Sequence, residues 1–437
     1  MGERRRSNVI LLVIDTLRED HAGGLEALRD LGFVKYENAI APSPWTLPSH
    51  VSMVTGLYPS QHGVHEAYGV YVDNMMGLSR QRMSKLNRGI IGELMKEGYS
   101  AYIISANPLI SAAYGFGGVT ESLEANGICR RHKECGDYER LITTLSRRKS
   151  YLGAALELIR DRELRLLLSG VKLLARSRLW RLAGRLGLYD PTMEKGSLAI
   201  LDFLRERSFE EPFLMLINIM EAHGPYTLKD LNTNMRLTTR AFLEAVFFNR
   251  LDEEVANLNR QNYPRHATYA TRRALEIVHA LRGYLDRSLV IVTSDHGELL
   301  GDGGVGHGYF LKDGLLRVPL WVRWPSWARP VKQEGAFVSL AQVPSIVRAA
   351  VNGEASGLGS DVVLAESFGP SIRPERVYRE GELPREAIKR AFSHRVRVYT
   401  RRGSATYNVD SDDVEEVSGD AQELTKVVRE AVSGLAH

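Results

Sequence analysis

Four short, almost continuously apolar runs constrain the fold of this chain most strongly. The first extends over residues 8–15 and ends in the carboxylate of Asp15. Three others, at residues 99–105, 213–218 and 289–294, have similar length and character. Such runs are typical of parallel strands that helices cover on both faces. They therefore predict the buried strands of one central sheet.

Helical patterns at residues 89–96, 197–207 and 269–285 separate the apolar runs. This alternation predicts an α/β fold with a doubly wound, mainly parallel sheet flanked by helices. Ligands bind to such sheets beyond the carboxyl ends of the strands, so we expect the polar residues after the runs to lie near one another. These residues are Asp15, Asn107, Glu221, His223, Asp295 and His296.

The C-terminal part of the chain has a different pattern. A loop-rich stretch at residues 353–381 precedes two predicted strands, at residues 394–400 and 404–409, and a predicted helix at residues 422–435. Residues 353–437 are therefore predicted to form a small α+β subdomain.

A segment with two prolines carries a candidate nucleophile. Pro44 and Pro48 flank Thr46, and a short helix is predicted over residues 47–55 with Gly56 as its stop. Thr46 then lies at or beside the helix N-cap, where its hydroxyl could simply cap the helix. The alternative is a nucleophile placed where unpaired N–H groups and the helix dipole hold an anion. The residues alone leave both interpretations open.

The run that ends near residue 294 is followed by an Asp-His pair. Asp295 and His296 offer one carboxylate and one imidazole to a cation, although a buried structural pair is the alternative. With Asp15 and Thr46 they make a ligand set for one divalent ion, which would polarise the Thr46 hydroxyl and bind a substrate oxygen. Carboxylates alone suit Ca²⁺ or Mg²⁺, while the imidazole shifts the preference to Mn²⁺ or Zn²⁺.

Three motifs, in this order and spacing, resemble those of the sulfatase family within the alkaline phosphatase superfamily. They are Asn-Val-Ile-Leu-Leu-Val-Ile-Asp-Thr-Leu-Arg from residue 8, Pro-Ser-Pro-Trp-Thr-Leu-Pro-Ser-His from residue 42, and Ser-Asp-His-Gly-Glu from residue 294, followed by Arg-Val-Pro-Leu from residue 317. The resemblance implies an alkaline-phosphatase-like catalytic domain at residues 7–352. It also places a basic helical insertion at about residues 140–190 and makes the C-terminal part the family's small subdomain.

The family resemblance also bears on the nucleophile. Sulfatases have a Cys or Ser, matured to formylglycine, at the start of a Cys-x-Pro-x-Arg motif, and here that position is Thr46 while the motif's Arg falls on His50. Threonine is not a substrate for that maturation. Superfamily members with a Thr nucleophile are phosphodiesterases, phosphatases and phosphoglycerol or phosphoethanolamine transferases. The resemblance therefore implies a metal-dependent hydrolase or transferase of phosphate esters that forms a phospho-Thr46 intermediate.

Other site residues take their expected roles from the same resemblance. The metal-ligand positions are Asp15, Asp295 and His296, with Thr46. His223 and His307 would bind the non-bridging oxygens or protonate the leaving group, and His50 would support Thr46. Glu221 could join His223 and His307 around a second metal. Asn107 replaces part of the family's Gly-Lys-x-x-His signature and would contact the anionic ester substrate.

Two alternative functions stay open at this point. One is a sulfuric ester hydrolase that dispenses with formylglycine. The other is a non-catalytic relative that keeps the fold and binds an anionic lipid or glycan. The retained Thr, Asp and Asp-His residues argue against the second alternative, because a pure binder has no need of a metal-activated hydroxyl.

Charge is distributed unevenly along the chain. The 57 Lys and Arg residues against 53 Asp and Glu residues give +4, and this average predicts no nucleic-acid partner. The segment from Arg147 to Gly187 differs, since eleven basic and three acidic residues give it a net charge of +8. Its leucines recur at helical spacing. We expect either an amphipathic helical pair packed on the main domain, or a surface that docks on anionic lipid headgroups or steers an anionic substrate.

The N-terminal residues and the cysteines bear on the compartment. Basic residues at 1–6 precede an apolar run that is too short for a signal peptide, and no apolar stretch reaches the roughly 18 residues that span a bilayer. We expect a cytoplasmic protein, peripheral to the membrane if the basic segment binds lipid. Cys129 and Cys135 are expected to be reduced thiols, and with His132 between them they make only a weak metal site.

Overall fold

The computed structural model describes residues 6–125, 131–186, 190, 192–227, 235–353 and 357–435. Its strands are β1 (Asn8–Ile14), β2 (Val34–Lys35), β3 (Ala39–Ile40), β4 (Ser100–Ser105), β5 (Glu121–Glu124), β6 (Phe213–Ile219), β7 (Ser288–Thr293), β8 (Leu299–Leu300), β9 (Val305–Gly306), β10 (Arg317–Val318), β11 (Leu320–Arg323), β12 (Val338–Ser339), β13 (Val362–Ser367), β14 (Arg395–Thr400), β15 (Gly403–Asn408) and β16 (Asp413–Gly419).

Helices lie between most of these strands. They are α1 (Thr46–Thr55), α2 (Pro59–His62), α3 (Met76–Lys85), α4 (Ile90–Lys96), α5 (His132–Arg148), α6 (Tyr151–Arg160), α7 (Leu164–Arg185), α8 (Ser197–Arg205), α9 (Met235–Phe248), α10 (Glu253–Ala280), α11 (Asp313–Leu316), α12 (Val343–Asn352), α13 (Arg385–Ala391) and α14 (Ala421–Leu435). Short 3₁₀ turns join several of them.

The four apolar runs form the middle of the main sheet, whose strand order among the described residues is β2-β11-β7-β1-β6-β4-β5. The strands β7, β1, β6 and β4 are parallel neighbours. Every residue of β1, β6 and β7 is buried, as expected for strands covered on both faces. The predicted doubly wound α/β fold is therefore confirmed.

Alternate side chains of β1 point into two separate cores. Val9, Leu11 and Val13 pack with residues of α1, α4 and α12 on one face of the sheet. Ile10 and Leu12 pack with residues of α8 and α10 on the other face. Because successive side chains of a strand point to opposite faces, an unbroken apolar run is what two covered faces require.

The helix predicted at residues 269–285 is longer and ends earlier than expected. It is the second half of α10, which begins at Glu253 after Asp252 accepts a capping hydrogen bond from Val255 N. Pro264 lies inside this helix, and a proline disfavours helix in a sequence-based prediction. Burial of residues such as Tyr263 on the sheet outweighs that local preference.

The C-terminal subdomain contains two strands that were not predicted. An antiparallel sheet has the order β13-β14-β15-β16, and α14 packs on it through Leu424 and Val428. The stretch at residues 353–381, expected to be loop-rich, contains β13. The edge strand β16 was missed because most of its residues are polar or glycine and none is buried. The boundary between residues 352 and 353 remains a prediction.

The basic insertion forms the helices α5, α6 and α7. No helix within the described ranges is long and apolar enough to cross a membrane. The alternative that the leucines of α7 pack on the main domain does not hold for four of its eight leucines, since Leu164, Leu168, Leu179 and Leu182 are each more than half exposed.

We predict that Gly89→Ala destabilises the main domain. Gly89 has φ 58° and ψ −134°, a conformation that costs a residue with a side chain about 1–3 kcal/mol. A Cβ there would also lie 2.0 Å from the Val54 carbonyl oxygen at the end of α1. Thermal unfolding should show a clearly lower Tm than that of the wild-type protein.

Gly77→Ala is the matched control, because a Cβ at Gly77 meets nothing within 4 Å. This glycine lies inside α3, so the alanine should leave the Tm unchanged or raise it slightly. If the two substitutions changed the Tm equally, the close approach of Gly89 to the Val54 carbonyl would be contradicted.

Candidate active site

Parallel pairing of the central strands brings the candidate residues to one edge of the sheet. Val13 of β1 pairs with Thr293 of β7, so the same register continued by two residues places Asp15 beside Asp295. On the other side of β1, Val13 pairs with Asn218 of β6. These side chains lie at the carboxyl ends of the strands, where ligands bind in sheets of this type.

The Thr46 hydroxyl faces this edge and does not cap its helix. The helix α1 begins at Thr46, one residue earlier than predicted, and the extended residue Trp45 is its N-cap. Thr46 Oγ1 lies 3.2 Å from His296 Nε2 and 3.5 Å from Asp15 Oδ2. The capping interpretation is therefore wrong, and the hydroxyl belongs to the buried polar cluster. Gly56 ends the helix in the left-handed conformation, as expected.

Asp15, Asp295 and His296 form the buried group that could hold a metal ion. Their ligand atoms lie within 4.8 Å of one another, and all three side chains are fully buried. Asp15 Oδ1 and Asp295 Oδ2 have no hydrogen-bond donor. A buried carboxylate oxygen without a donor is strongly unfavourable, and a divalent cation would satisfy both. The residues present therefore fit one cation with oxygen and imidazole ligands.

The second oxygen of each carboxylate is held by the protein. Asp295 Oδ1 accepts hydrogen bonds from the backbone N–H groups of Thr16 at 3.2 Å and of His296 at 3.0 Å. Asp15 Oδ2 accepts one from Asn107 Nδ2 at 2.7 Å. Each carboxylate is thus oriented through one oxygen and presents the other. The structure places Asn107, expected to contact substrate, as a donor that orients Asp15.

Burial and the proximity of like charges perturb the titration of this group. Burial and the charge of Asp15 raise the pKa of Asp295 well above its ordinary value. Burial opposes ionisation of Asp15 as well, but the neighbouring imidazoles of His223 and His296 hold the pKa of Asp15 below its ordinary value. Burial lowers the pKa of His296 to about 3. Its Nδ1 donates to the Gly297 carbonyl at 2.8 Å, which leaves the Nε2 lone pair facing the cluster.

His50 supports Thr46 through the backbone and does not touch its hydroxyl. Its Nδ1 donates to the Thr46 carbonyl at 2.9 Å, and its Nε2 accepts from Asn218 Nδ2 at 3.3 Å. Burial lowers the pKa of His50 to about 4, so the ring is neutral at ordinary pH. Asn218 was not identified from the sequence, although a polar residue near the end of an apolar run was a usable signal.

His223 and His307 border the cluster on its more open side. The centres of their rings are 4.9 Å apart, and the ring of His307 lies 4.7 Å from that of His296. Glu298, which sequence reasoning did not identify, accepts from His307 Nδ1 at 3.1 Å. Burial opposes protonation of His307, but the Glu298 carboxylate raises the pKa of His307 above its ordinary value. Tyr226, also missed, donates to Glu298 at 2.8 Å.

The expected second metal cluster does not form in the described chain. Glu221 is fully buried, and its Oε1 accepts the backbone N–H groups of Lys195 at 3.0 Å and of Ser197 at 2.9 Å, at the start of α8. Groups of three or more potential ligands within the described residues are the Asp15 group and one around His132, and neither includes Glu221, His223 or His307. Capping of α8 accounts for Oε1 of Glu221, while its buried Oε2 has no hydrogen-bond partner among the described residues.

The weak metal site predicted around the two cysteines stays a prediction, because one of its three ligands is not among the described residues. His132 Nδ1 lies 3.1 Å from Asp202 Oδ2, and this pair with Glu206 is a partly exposed group near the surface. Cys135 is buried and its thiol is directed at the Arg131 carbonyl at 3.8 Å. Cys129 lies outside the described residues.

The sequence and the fold were compared with those of known proteins. A family model described as Sulfatase matches residues 7–352. No curated protein matches the sequence. The fold is similar to that of the phosphonate monoester hydrolases from Silicibacter pomeroyi (TM-score 0.61, 15% identity, covering 98% of this chain and 95% of that chain) and Agrobacterium radiobacter (TM-score 0.59, 16% identity, 99% and 95%). It is also similar to that of a 2-O GAG sulfatase (TM-score 0.50, 12% identity, 99% and 91%). At these identities the solved structures bear on the fold alone.

We predict that divalent metal stabilises the folded protein through Asp15, Asp295 and His296. Protein stripped with a chelator should gain Tm when Mn²⁺ or Zn²⁺ is added, because an ion that binds only the folded state at 100 times its Kd adds about 2.7 kcal/mol. Asp295→Asn should lose this increase. Without metal the same variant should be more stable than the wild-type protein, because it removes one of two adjacent buried carboxylates.

Asp202→Asn is the matched control, since it alters the partly exposed group around His132 and should keep the full metal-dependent increase in Tm. If the metal-dependent increase in Tm survived Asp295→Asn but disappeared in Asp202→Asn, the metal would bind at the group around His132, and the prediction would be contradicted.

Proposed function

The chain belongs to the sulfatase family of ester hydrolases, and we propose that it cleaves phosphate esters through a covalent intermediate on Thr46, with a divalent cation bound by Asp15, Asp295 and His296. The main support is the position of the Thr46 hydroxyl. It is buried at the first residue of α1 and lies 3.2 Å from His296 Nε2 and 3.5 Å from Asp15 Oδ2. A hydroxyl used only for stability has no need of two potential metal ligands as its neighbours.

The position of Thr46 suits attack on a tetrahedral anion. The N-terminus of α1 presents N–H groups that are unpaired within the helix, and the helix dipole favours negative charge there. The hydroxyl of Thr46 is thus next to the place where an anionic group is held most favourably. When bound, a cation at Asp15, Asp295 and His296 would lower the pKa of the Thr46 hydroxyl and neutralise charge on the transferred group.

Two displacements account for the overall hydrolysis. In the first, the Thr46 hydroxyl gives its proton to solvent as the Oγ1–P bond forms and the ester P–O bond breaks, and the leaving oxygen takes a proton from His307. In the second, a water oxygen attacks the phosphorus of phospho-Thr46 and gives a proton back to His307, the Oγ1–P bond breaks, and the Thr46 oxygen takes a proton from solvent. An alcohol in place of that water makes the same chemistry a phosphoryl transfer.

His307 and His223 supply the proton and bind the substrate oxygens in this proposal. Glu298 favours the protonated form of His307, so His307 is the better proton donor to the leaving oxygen. Burial lowers the pKa of His223, whose Nδ1 donates to the Gly224 carbonyl at 2.6 Å. Its Nε2 binds a non-bridging oxygen only when it carries a proton, and the negative charge of the bound substrate would favour that protonated form. Both imidazoles are partly exposed, whereas the Asp15 group is fully buried, so substrate enters from their side.

The preference for phosphate over sulfate follows from the identity of residue 46. A threonine cannot be converted to the formylglycine of the family's sulfatases, and its plain hydroxyl must carry the transferred group as an ester. The second candidate function is hydrolysis of sulfate esters without formylglycine, and membership of the sulfatase family favours it.

We predict that Thr46→Ala lowers kcat by at least about 10³-fold, because the covalent route disappears while the cation site remains. Thr46→Ser keeps a hydroxyl on the same backbone and should retain far more activity. Steady-state kinetics would be compared at equal metal occupancy, measured by metal analysis of each variant. Normal turnover by metal-loaded Thr46→Ala would contradict the role of Thr46 as nucleophile.

A panel of esters tests the substrate class. Aryl phosphate monoesters, phosphodiesters, phosphonate monoesters and aryl sulfates, assayed on one metal-loaded preparation, should give the highest kcat/KM with one of the phosphorus esters. A higher kcat/KM for the aryl sulfate would favour the second candidate. No turnover of any ester by the metal-loaded protein, with substrate analogues still bound, would indicate a non-catalytic anion-binding relative.

A further inference from the structure

The helical insertion leaves and rejoins the main domain at the edge of the sheet that carries the candidate site. Ala125 follows the carboxyl end of β5, and its N–H donates to the Ser105 carbonyl at the end of β4. Gly196 precedes α8 and lies so close to Ala125 that a Cβ on Gly196 would be 3.3 Å from the Ala125 Cβ. The three helices α5, α6 and α7 extend between these two points.

Polar contacts hold α7 antiparallel to α5. Going forward along α5, Glu134 pairs with Arg176 at 2.8 Å and Asp137 accepts from Ser169 at 2.7 Å. Arg140, farther along α5, pairs with Glu163 just before α7. Leu166 and Leu173 are buried on this side of α7. These contacts account for one face of the helix.

The opposite face of α7 carries a stripe of apolar side chains exposed to solvent. At 100° per residue its positions fall within an arc of about 80°, on the side away from Leu166 and Leu173. The six large side chains of the stripe are between 54% and 65% exposed. The stripe consists of Leu164, Leu168, Val171, Ala175, Leu179, Leu182 and Leu186.

Cations flank the stripe on both sides. Arg165 and Lys172 lie on one side and Arg178 on the other, and all three side chains are exposed. None of the three makes an ion pair or hydrogen bond with another described residue. The sequence of α7 contains no Asp or Glu. The face is therefore apolar along its centre and positively charged along its edges.

The preceding helix α6 repeats the pattern at smaller scale. Leu152, Leu156 and Ile159 are spaced three and four residues apart and are between 51% and 71% exposed. Of the nineteen exposed large hydrophobic side chains in the described chain, twelve lie in this insertion. They are Ile142, Tyr151, Leu152, Leu156, Ile159, Leu164, Leu168, Val171, Leu174, Leu179, Leu182 and Leu186. A patch of this size marks an interaction surface.

Charge and composition distinguish the partners that such a face could take. A nucleic acid would use the cations but leave the leucines in water. A second copy of this face would bring two sets of cations together with no acidic residue on α7 to offset them. A helix whose exposed face has leucines along its centre and cations along its edges resembles helices that lie in the membrane interface.

We propose that α6 and α7 form a docking surface for an anionic lipid bilayer. The leucine stripe enters the boundary between headgroups and acyl chains, while Arg165, Lys172 and Arg178 contact lipid phosphates. This interaction does not depend on the chemistry of Thr46, and it holds the main domain at the membrane surface.

Vesicle sedimentation with the full chain tests the proposal. We expect association with vesicles of phosphatidylcholine and phosphatidylglycerol, weaker association with phosphatidylcholine alone, and a decrease with rising salt. Leu168→Ser/Leu179→Ser should weaken binding to the anionic vesicles by at least about 10-fold. Its matched control is Leu237→Ser/Leu251→Ser, which alters two exposed leucines outside the insertion and should bind as the wild-type protein does.

A charge variant separates the electrostatic contribution from the apolar one. Arg165→Gln/Lys172→Gln/Arg178→Gln should weaken binding to anionic vesicles by roughly 100-fold and remove most of the salt dependence. The control Arg329→Gln/Lys332→Gln/Arg385→Gln removes the same charge from exposed positions elsewhere. All these side chains are exposed, so each variant should keep the wild-type Tm, which a thermal melt checks.

Three results would overturn the proposal. The first is equal or absent binding of the wild-type protein to the two kinds of vesicle. The second is wild-type affinity in the Leu168→Ser/Leu179→Ser variant. The third concerns self-association, measured by sedimentation velocity. If the wild-type protein is a dimer and this variant is a monomer that still binds lipid fully, the stripe is a dimer interface.

Discussion

Two buried carboxylates with one unpaired oxygen each are the constraint on which the rest of the site depends. Asp15 Oδ1 and Asp295 Oδ2 lie in the interior without a donor, an arrangement that opposes folding unless a cation satisfies it. The other oxygen of each carboxylate is hydrogen-bonded. Asp295 Oδ1 accepts from the backbone N–H groups of Thr16 and His296, and Asp15 Oδ2 accepts from the amide of Asn107. The two free oxygens thus suit a bound cation.

The parallel sheet is what makes such a pair attainable. Adjacent strands that end in register place Asp15 and Asp295 side by side at the edge of the sheet. The start of α1 is joined to the same place, since Ser49 Oγ donates to the Asp295 carbonyl at 2.7 Å. Thr46 is therefore positioned by the same elements that position the carboxylates, and its hydroxyl needs no flexible loop to reach them.

Much of this arrangement could be predicted from the sequence, because a strand that is buried on both faces is apolar at nearly every position. The same logic explains what was missed. The edge strand β16 is half in water and has no apolar run. Glu298 meets His307 because the short hairpin of β8 and β9 pairs Leu299 with Gly306 and so brings the flanking residues together. Tyr226 reaches Glu298 from a separate part of the chain, and the sequence carries no signal for that contact. The capping contact of Glu221 was not predicted, because it joins the start of α8 to a residue 24 positions farther along the chain.

The central claim is that Thr46 carries the transferred group, and the stereochemical course at phosphorus tests it most directly. A phosphorothioate ester made chiral with oxygen isotopes would be hydrolysed in labelled water, and the configuration of the product determined. Each in-line displacement inverts phosphorus. Two displacements through Thr46 predict net retention. Net inversion would mean that water attacks the ester directly, and would contradict the account.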